Sequence, residues 1–339
     1  MSVSGAAEAL SNRWRSRGLD ALKVLVSVAL IAYLFWRIHP RQVAQAARGA
    51  DYALLAIGLL LYFGAIVLNT VRWSLLLKAQ AESVPFAELL RFTFVGLFFG
   101  NFLPTNIGGD VVRGYDLARY LHRAEDAAIS VLVDRLVGLI AFITSAAAMS
   151  LLAVYRWGRH DLLPISLVVW IVCLAALGGL GAMLSRRLRR LVGRLFTWQA
   201  LARLSPIYER LSQALDAYRG QPMALLQAYI VSLGVIYVSN AVNFLVVQAV
   251  HAGIPLAYVF LFNPMIAFAP LIVPSLGGLG VNQGAYDLLY AGLGGVASRP
   301  AALAVSLFMQ LNIYLGSLPG GVLWLRRRRV LAKAERAQT

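Results

Sequence analysis

Asn101-Phe-Leu-Pro-Thr-Asn-Ile-Gly-Gly-Asp110-Val-Val-Arg113-Gly-Tyr-Asp116 and Pro274-Ser-Leu-Gly-Gly-Leu-Gly280-Val-Asn-Gln-Gly284-Ala-Tyr-Asp287 decide how this chain folds. Both carry a Pro, a Gly pair soon after it, and a Gly ten positions beyond the Pro (Pro104 to Gly114, Pro274 to Gly284). Both interrupt long apolar sequence. Broken backbone at membrane depth is tolerated only where protein buries it or where it lines a cavity. A pair of such breaks in corresponding positions of two halves points to a transporter's binding site.

The sequence around them is that of a polytopic helical membrane protein. Of 339 residues, 60% are hydrophobic and 14% charged, against about 25% charged in a soluble domain. Apolar runs long enough to cross a bilayer recur. Six read as full spans: 21–38, 52–71, 127–155, 162–184, 222–250 and 301–325. Four shorter stretches flank the two broken motifs, 85–103 with 108–122 and 255–273 with 279–296, and each pair reads as a re-entrant hairpin. The alternative is eight to ten direct spans without hairpins. Arg13, Arg15 and Arg17 before an apolar stretch, with Ala44-Gln-Ala46 after it, resemble a secretory leader, but Arg37, Pro40 and Arg41 intervene.

The net charge of +16 sits beside the spans, which fits the positive-inside rule and anionic headgroups rather than nucleic acid. With the N-terminus in the cytoplasm, most of the 31 basic residues fall inside, Arg72 and Lys78 among them. Only Arg37, Arg41, Arg48, Arg156, Arg159 and Arg299 fall outside. The chain then divides into a basic N-terminus (1–20), a membrane domain (21–325) and a basic cytoplasmic tail (326–339). Residues 52–155 and 222–325 each read span, hairpin, span in opposite orientations, an inverted-topology repeat. The span 162–184 and the basic amphipathic segment 186–219 join them, the latter lying in the headgroup plane or serving as a plain connector. The expected fold is therefore all-α, with a broken-helix hairpin in each half.

Ionisable residues inside apolar segments are functional candidates by default. They are Arg91, Asp110, Arg113, Asp134, Arg135 and Asp287. If a helix begins at Gly108 or Gly109, Asp110 and Arg113 share a face and its N-terminal amides can meet an anion. Asp134 and Arg135 point about 100° apart, so they need not pair with each other. Arg135 is free to hold a phosphate or to cross-pair with Asp110. Asn101, Asn106, Asn263 and Asn282 supply neutral hydrogen bonds, as does Gln283, and Gly277, Gly278 and Gly280 allow tight backbone. Each has a bland counterpart: a helix cap, a structural ion pair, or interhelical glue. Tyr115 and Tyr286 read as interface aromatics. The lone Cys173 and four scattered His show no ligand spacing, so no cofactor is expected. No catalytic set stands out, and the chain reads as a non-enzyme.

Asn101 through Arg119, followed by Ser130-Val-Leu-Val-Asp-Arg-Leu-Val-Gly138, resembles the membrane domain of lysylphosphatidylglycerol synthase/flippase proteins. Pro274 to Tyr286 resembles that family's second signature, with Asn282-Gln283 where the family often has Arg-Glu. The resemblance spans about residues 20–328. It implies a bacterial inner-membrane protein that moves lipids or lipid-linked groups between leaflets, with both termini cytoplasmic. The leading expectation is a lipid flippase or scramblase whose two hairpins form a polar path for an anionic headgroup, with a second copy or a lipid-modifying enzyme as partner. The synthases carry a further aminoacyl-transferase domain, which this chain is expected to lack. Two other readings stay open. One is an accessory protein or glycosyltransferase of a polyprenol-phosphate sugar pathway. The other is a secondary transporter of a small solute.

Overall fold

The computed structural model describes residues 48–102, 108–156, 163–184, 220–272 and 280–337, together with 158, 160, 216, 218 and 278. The expected basic N-terminus, the span 21–38, Asn106, Gly277, both motif prolines and nearly all of 186–219 lie outside the described residues. The part from Ala50 onward forms one compact unit. Every regular element described in it is helical: α1 Tyr52–Ala79, α2 Phe86–Phe102, α3 Gly108–Leu121, α4 Ala124–Arg156, α5 Leu163–Leu184, α6 Pro222–Ala249, α7 Leu256–Ile272, α8 Val281–Tyr286 and α9 Arg299–Ala337. Four of these (α1, α4, α6 and the stretch Arg299–Arg326 of α9) are long and apolar enough to cross a membrane.

The helix ends follow local chemistry. Asp51 caps α1, its carboxylate accepting from the N–H groups of Ala53 at 2.9 Å and Leu54 at 3.2 Å. Pro222 opens α6 where its missing N–H costs nothing. Ala81 (φ 61°) and His251 (φ 52°) turn the chain left-handed just past α1 and α6. Pro85 and Pro255 then start α2 and α7.

These parallels run throughout. α1 and α6 each have 28 residues, and α2 and α7 each have 17. Pro222 stands 170 positions after Tyr52, and Leu256 stands 170 after Phe86. Burial recurs at that spacing: Gly58, Ile66, Thr70, Arg72, Trp73, Leu76 and Leu77 against Ala228, Ile236, Asn240, Val242, Asn243, Val246 and Val247. The matched helices α1 and α6 pack side by side and antiparallel. The Asp51 N–H donates to the Ala249 carbonyl at 2.9 Å, Gly58 faces Val242 and Leu245, and Arg72 reaches Ser232. Across the halves, α2 packs on α9 while α7 packs on α4. The match fails after α8. Its counterpart α3 is regular for 14 residues, whereas α8 passes after six into a π-helical turn, Asp287–Leu293.

α2 and α3 form a hairpin whose backbones touch. A side chain on Gly109 would strike the Gly96 carbonyl and come within 3.0 Å of the Gly100 Cα. One on Gly96 would sit 3.1 Å from the Arg113 Cβ. This contact seats the charged face of α3 against the core. On the outside, Leu60, Ile171 and Ile230 are exposed apolar side chains, as a lipid-facing surface requires.

One expected boundary and one expected placement are corrected. The span 52–71 continues to Ala79, so Arg72 stands inside a helix with Leu75, Leu76 and Leu77 beyond it, and is not an exposed interfacial charge. Tyr286 is buried and is not an interface aromatic, whereas Tyr115 is exposed.

Gly109→Ala is expected to lower the melting temperature in detergent, because over-packing costs about 1–3 kcal/mol. Gly64→Ala, where nothing lies within 4 Å, should not lower it.

Candidate functional site

Asp134, fully buried on α4, holds two guanidiniums. Arg72 on α1 grips it with a fork, Nε to Oδ1 at 2.7 Å and Nη2 to Oδ2 at 3.0 Å. Arg113 on α3 donates from Nη2 to Oδ2 at 2.9 Å. Both Arg side chains are nearly buried, and their remaining contacts fix them further. Arg72 Nη1 donates to Ser232 on α6 at 3.3 Å, and Gly138 leaves the space its guanidinium fills. Arg113 lies over the Trp73 ring, its Cζ 4.8 Å from the centroid, while the Trp73 indole donates to Ser130 at 3.2 Å. Three helices meet on one carboxylate, and a fourth, α6, holds Arg72 through Ser232.

Asp110, in the first turn of α3, forms the outer tier. Its Oδ1 accepts from Arg113, Nη2 at 2.8 Å and Nε at 3.0 Å. Its Oδ2 accepts from Arg135 Nη1. The adjacent residues Asp134 and Arg135 therefore serve different partners, as the turn angle of a helix requires. Arg135 is the most open member of the cluster, its side chain 32% exposed against 8% for Arg113 and 10% for Arg72.

These five residues line a cavity of about 440 Å³ between the halves. Its wall also takes in Asn69, Asn101 and Gly109 from the first half, and Gly278 and Asn282 from the second. Phe142 on α4 and Phe268 on α7 close one side, edge to face at 6.4 Å. Three guanidiniums against two carboxylates leave the lining one positive charge in excess. An uncompensated charge at mid-bilayer costs about 2.5–3.5 kcal/mol on insertion scales, so the cluster needs both its internal pairing and the polar cavity.

Of the expected site residues, Arg113, Arg135, Asp110, Asp134, Asn101, Gly109, Gly278 and Asn282 come together around this cavity. Gly108 is buried behind it at the start of α3. Gly280 and Gln283 are turned to their own turn, the Gly280 N–H donating to Gln283 Oε1 at 2.6 Å. Arg91 pairs with Glu88 at 2.6 Å, away from the cavity. Asp287 is partly exposed, 3.8 Å from Arg299.

Sequence reasoning missed Arg72, Ser232 and Tyr218. Tyr218 precedes α6 and is wholly buried against Leu76, Val133, Val137 and Ala228. Burial raises its phenol above the ordinary range, and Asp134 and Asp126 add to this. A second polar cluster lies in the other half. Asn263 donates to Asn240 at 2.6 Å, and Asn243 donates to Asn263 at 3.1 Å and to the Tyr286 hydroxyl. Asn240 and Asn243 stand 170 positions after Thr70 and Trp73, so the second half holds amides where the first has the foot of the ionic cluster.

A family model described as the lysylphosphatidylglycerol synthase TM region matches residues 21–320. A UPF0104 membrane protein of Methanothermobacter thermautotrophicus is 23% identical over 316 residues, covering 85% of each chain. Another match bearing that name, from the same organism, is 30% identical over 125 residues, which are 36% of this chain and 37% of the relative.

Removing the central carboxylate should be the most damaging single change. Asp134→Asn leaves Arg72 and Arg113 without their shared partner, and breaking a buried pair costs about 3–5 kcal/mol. Its melting temperature should fall well below that of Arg135→Gln, whose side chain is part-exposed. A smaller loss in Asp134→Asn than in Arg135→Gln would contradict the assignment.

Proposed function

Because the chain belongs to the lysylphosphatidylglycerol synthase transmembrane-region family, we propose that it moves the headgroup of an anionic lipid between the leaflets of a bacterial cytoplasmic membrane. The observation that carries this reading is the cavity's single excess positive charge, borne on the most open member of its charged cluster, Arg135. A phosphate at membrane depth needs charge-assisted donors, and a guanidinium presents a planar fork matched to phosphate oxygens. Arg135 engages Asp110 through one nitrogen, the single tie a phosphate has to displace to take the guanidinium.

The route between leaflets follows from the matched halves. Counterpart helices α1 and α6 run in opposite directions, which supports an inverted-topology repeat in which α2 with α3, and α7 with α8, make the re-entrant hairpins. The basic residues beside the spans favour cytoplasmic termini. In such repeats one half rocks on the other around a fixed midplane site. Among the described residues the polar ties between the halves include Asp51 N–H to the Ala249 carbonyl, Arg72 to Ser232, and Thr144 to the Tyr229 hydroxyl at 2.8 Å. The family's name is that of a synthase, so a lipid-modifying enzyme is a natural partner, as is a second copy of the chain.

The test uses purified protein in liposomes carrying fluorescent phosphatidylglycerol, with inward and outward transfer read by quenching from outside. Wild-type protein should accelerate transfer over protein-free liposomes. Arg135→Gln should slow it about tenfold or more, the value of one charge-assisted hydrogen bond, while its melting temperature stays close to wild type. Equal rates in folded Arg135→Gln protein would rule the site out.

A further inference from the structure

Resting on that reading, we propose that Asp110 sets the charge of the headgroup the cavity accepts: one negative charge, taken up when Arg135 leaves Asp110 for the ligand. The two carboxylates of the cluster are not equivalent. Asp134 is fully buried and saturated by Arg72 and Arg113. Asp110 is 18% exposed, keeps Arg113 through Oδ1, and spends Oδ2 on Arg135. An anion entering the cavity meets Arg135 with its partner already in place. It must displace that carboxylate oxygen, and Asp110 then stays beside it, still held by Arg113.

Asp110 thus acts in two ways. It competes for Arg135, which keeps binding weak enough for release on either side. It also subtracts one charge from the lining. Arg72, Arg113 and Arg135 against Asp110 and Asp134 leave a single positive charge. The segments 103–107 and 273–277 carry no ionisable residue, so they do not alter this count. Asp116, one turn beyond Arg113, is buried with an interaction of its own and is not part of the lining. A headgroup with one negative charge, a phosphodiester, brings the occupied cavity to neutrality. A phosphomonoester dianion leaves one negative charge uncompensated at depth, which is costly. A net-neutral headgroup leaves the excess positive charge where it was. The site therefore selects by charge count, and the amide wall at Asn282 and Asn101 adds hydrogen bonding without changing it.

The experiment measures binding of full-length protein in nanodiscs doped with phosphatidylglycerol, phosphatidic acid or phosphatidylcholine. It is run at about pH 9, where a phosphomonoester carries its second charge. Wild type should prefer phosphatidylglycerol over both others. Asp110→Asn raises the lining by one charge, and should shift the ratio of phosphatidic acid to phosphatidylglycerol binding upward about tenfold. Asp110→Glu should keep the wild-type ratio. Asn282→Asp lowers the lining by one charge without touching the ionic pairs, and should erase the preference for phosphatidylglycerol over phosphatidylcholine. This second variant decides the matter if Asp110→Asn does not fold. Wild-type preference for phosphatidylglycerol, with that preference unchanged in Asn282→Asp and in folded Asp110→Asn, would overturn the charge-count proposal and leave the lipid reading standing. Wild-type protein that binds the three lipids alike would overturn both.

Discussion

The buried carboxylate of Asp134 is the point on which the rest of this structure depends. It lies on the longest uninterrupted apolar helix of the first half, where its charge has no access to water. It is tolerable only because Arg72 and Arg113 arrive from two other helices with fitted geometry. That requirement fixes much else. Gly138 must lack a side chain so that the Arg72 guanidinium fits. Gly96, Gly100 and Gly109 must let α2 and α3 touch so that Arg113 reaches inward. The apolar packing of Trp73, Leu77, Leu89, Phe92 and Leu117 then closes around the pairs. A buried ion pair is weak evidence of net stability. Here its visible effect is to hold α3 in one place.

The two halves share a plan and divide the chemistry. Equal helix lengths, equal turns and matched burial at a spacing of 170 tie α1 and α2 to α6 and α7. Yet the ionic cluster at the cavity belongs to the first half, while the second buries an amide cluster of Asn240, Asn243 and Asn263 with Tyr286. The second half also departs in backbone, passing into a π-helical turn after Tyr286. Such turns are rare and concentrate at functional sites. At the cavity the charged residues of the first half face Phe268, Gly278 and Asn282 of the second, so a ligand has a single place for its charge.

Much of this was legible in the sequence. The apolar stretches flanking the broken motifs, 85–103, 108–122, 255–273 and 279–296, lie within a few residues of the helices found. Pro, Gly and left-handed turns end helices for local reasons that need no tertiary context. That Asp134 and Arg135 need not pair with each other followed from the helical turn, while the choice of Asp110 for Arg135 stayed open. Arg72 was not legible. A basic residue after some twenty apolar positions reads as an interfacial anchor, and only its meeting with Asp134, far away in the chain, buries it. The amide cluster was half legible. Asn263 stood out as a neutral polar residue at depth, but helix glue and a functional wall look alike until partners are known. Tyr286 misled for a related reason, since interface belts and buried hydroxyls use the same residue.

The most direct measurement is an experimental structure of the protein in nanodiscs rich in phosphatidylglycerol. The account predicts a lipid phosphate in the cavity within about 3 Å of the Arg135 guanidinium, with Arg72 and Arg113 still on Asp134 and Asp110 still on Arg113. A structure with lipid phosphates confined to the two surfaces, and the Arg135 to Asp110 pair intact in a cavity holding only water, would contradict it.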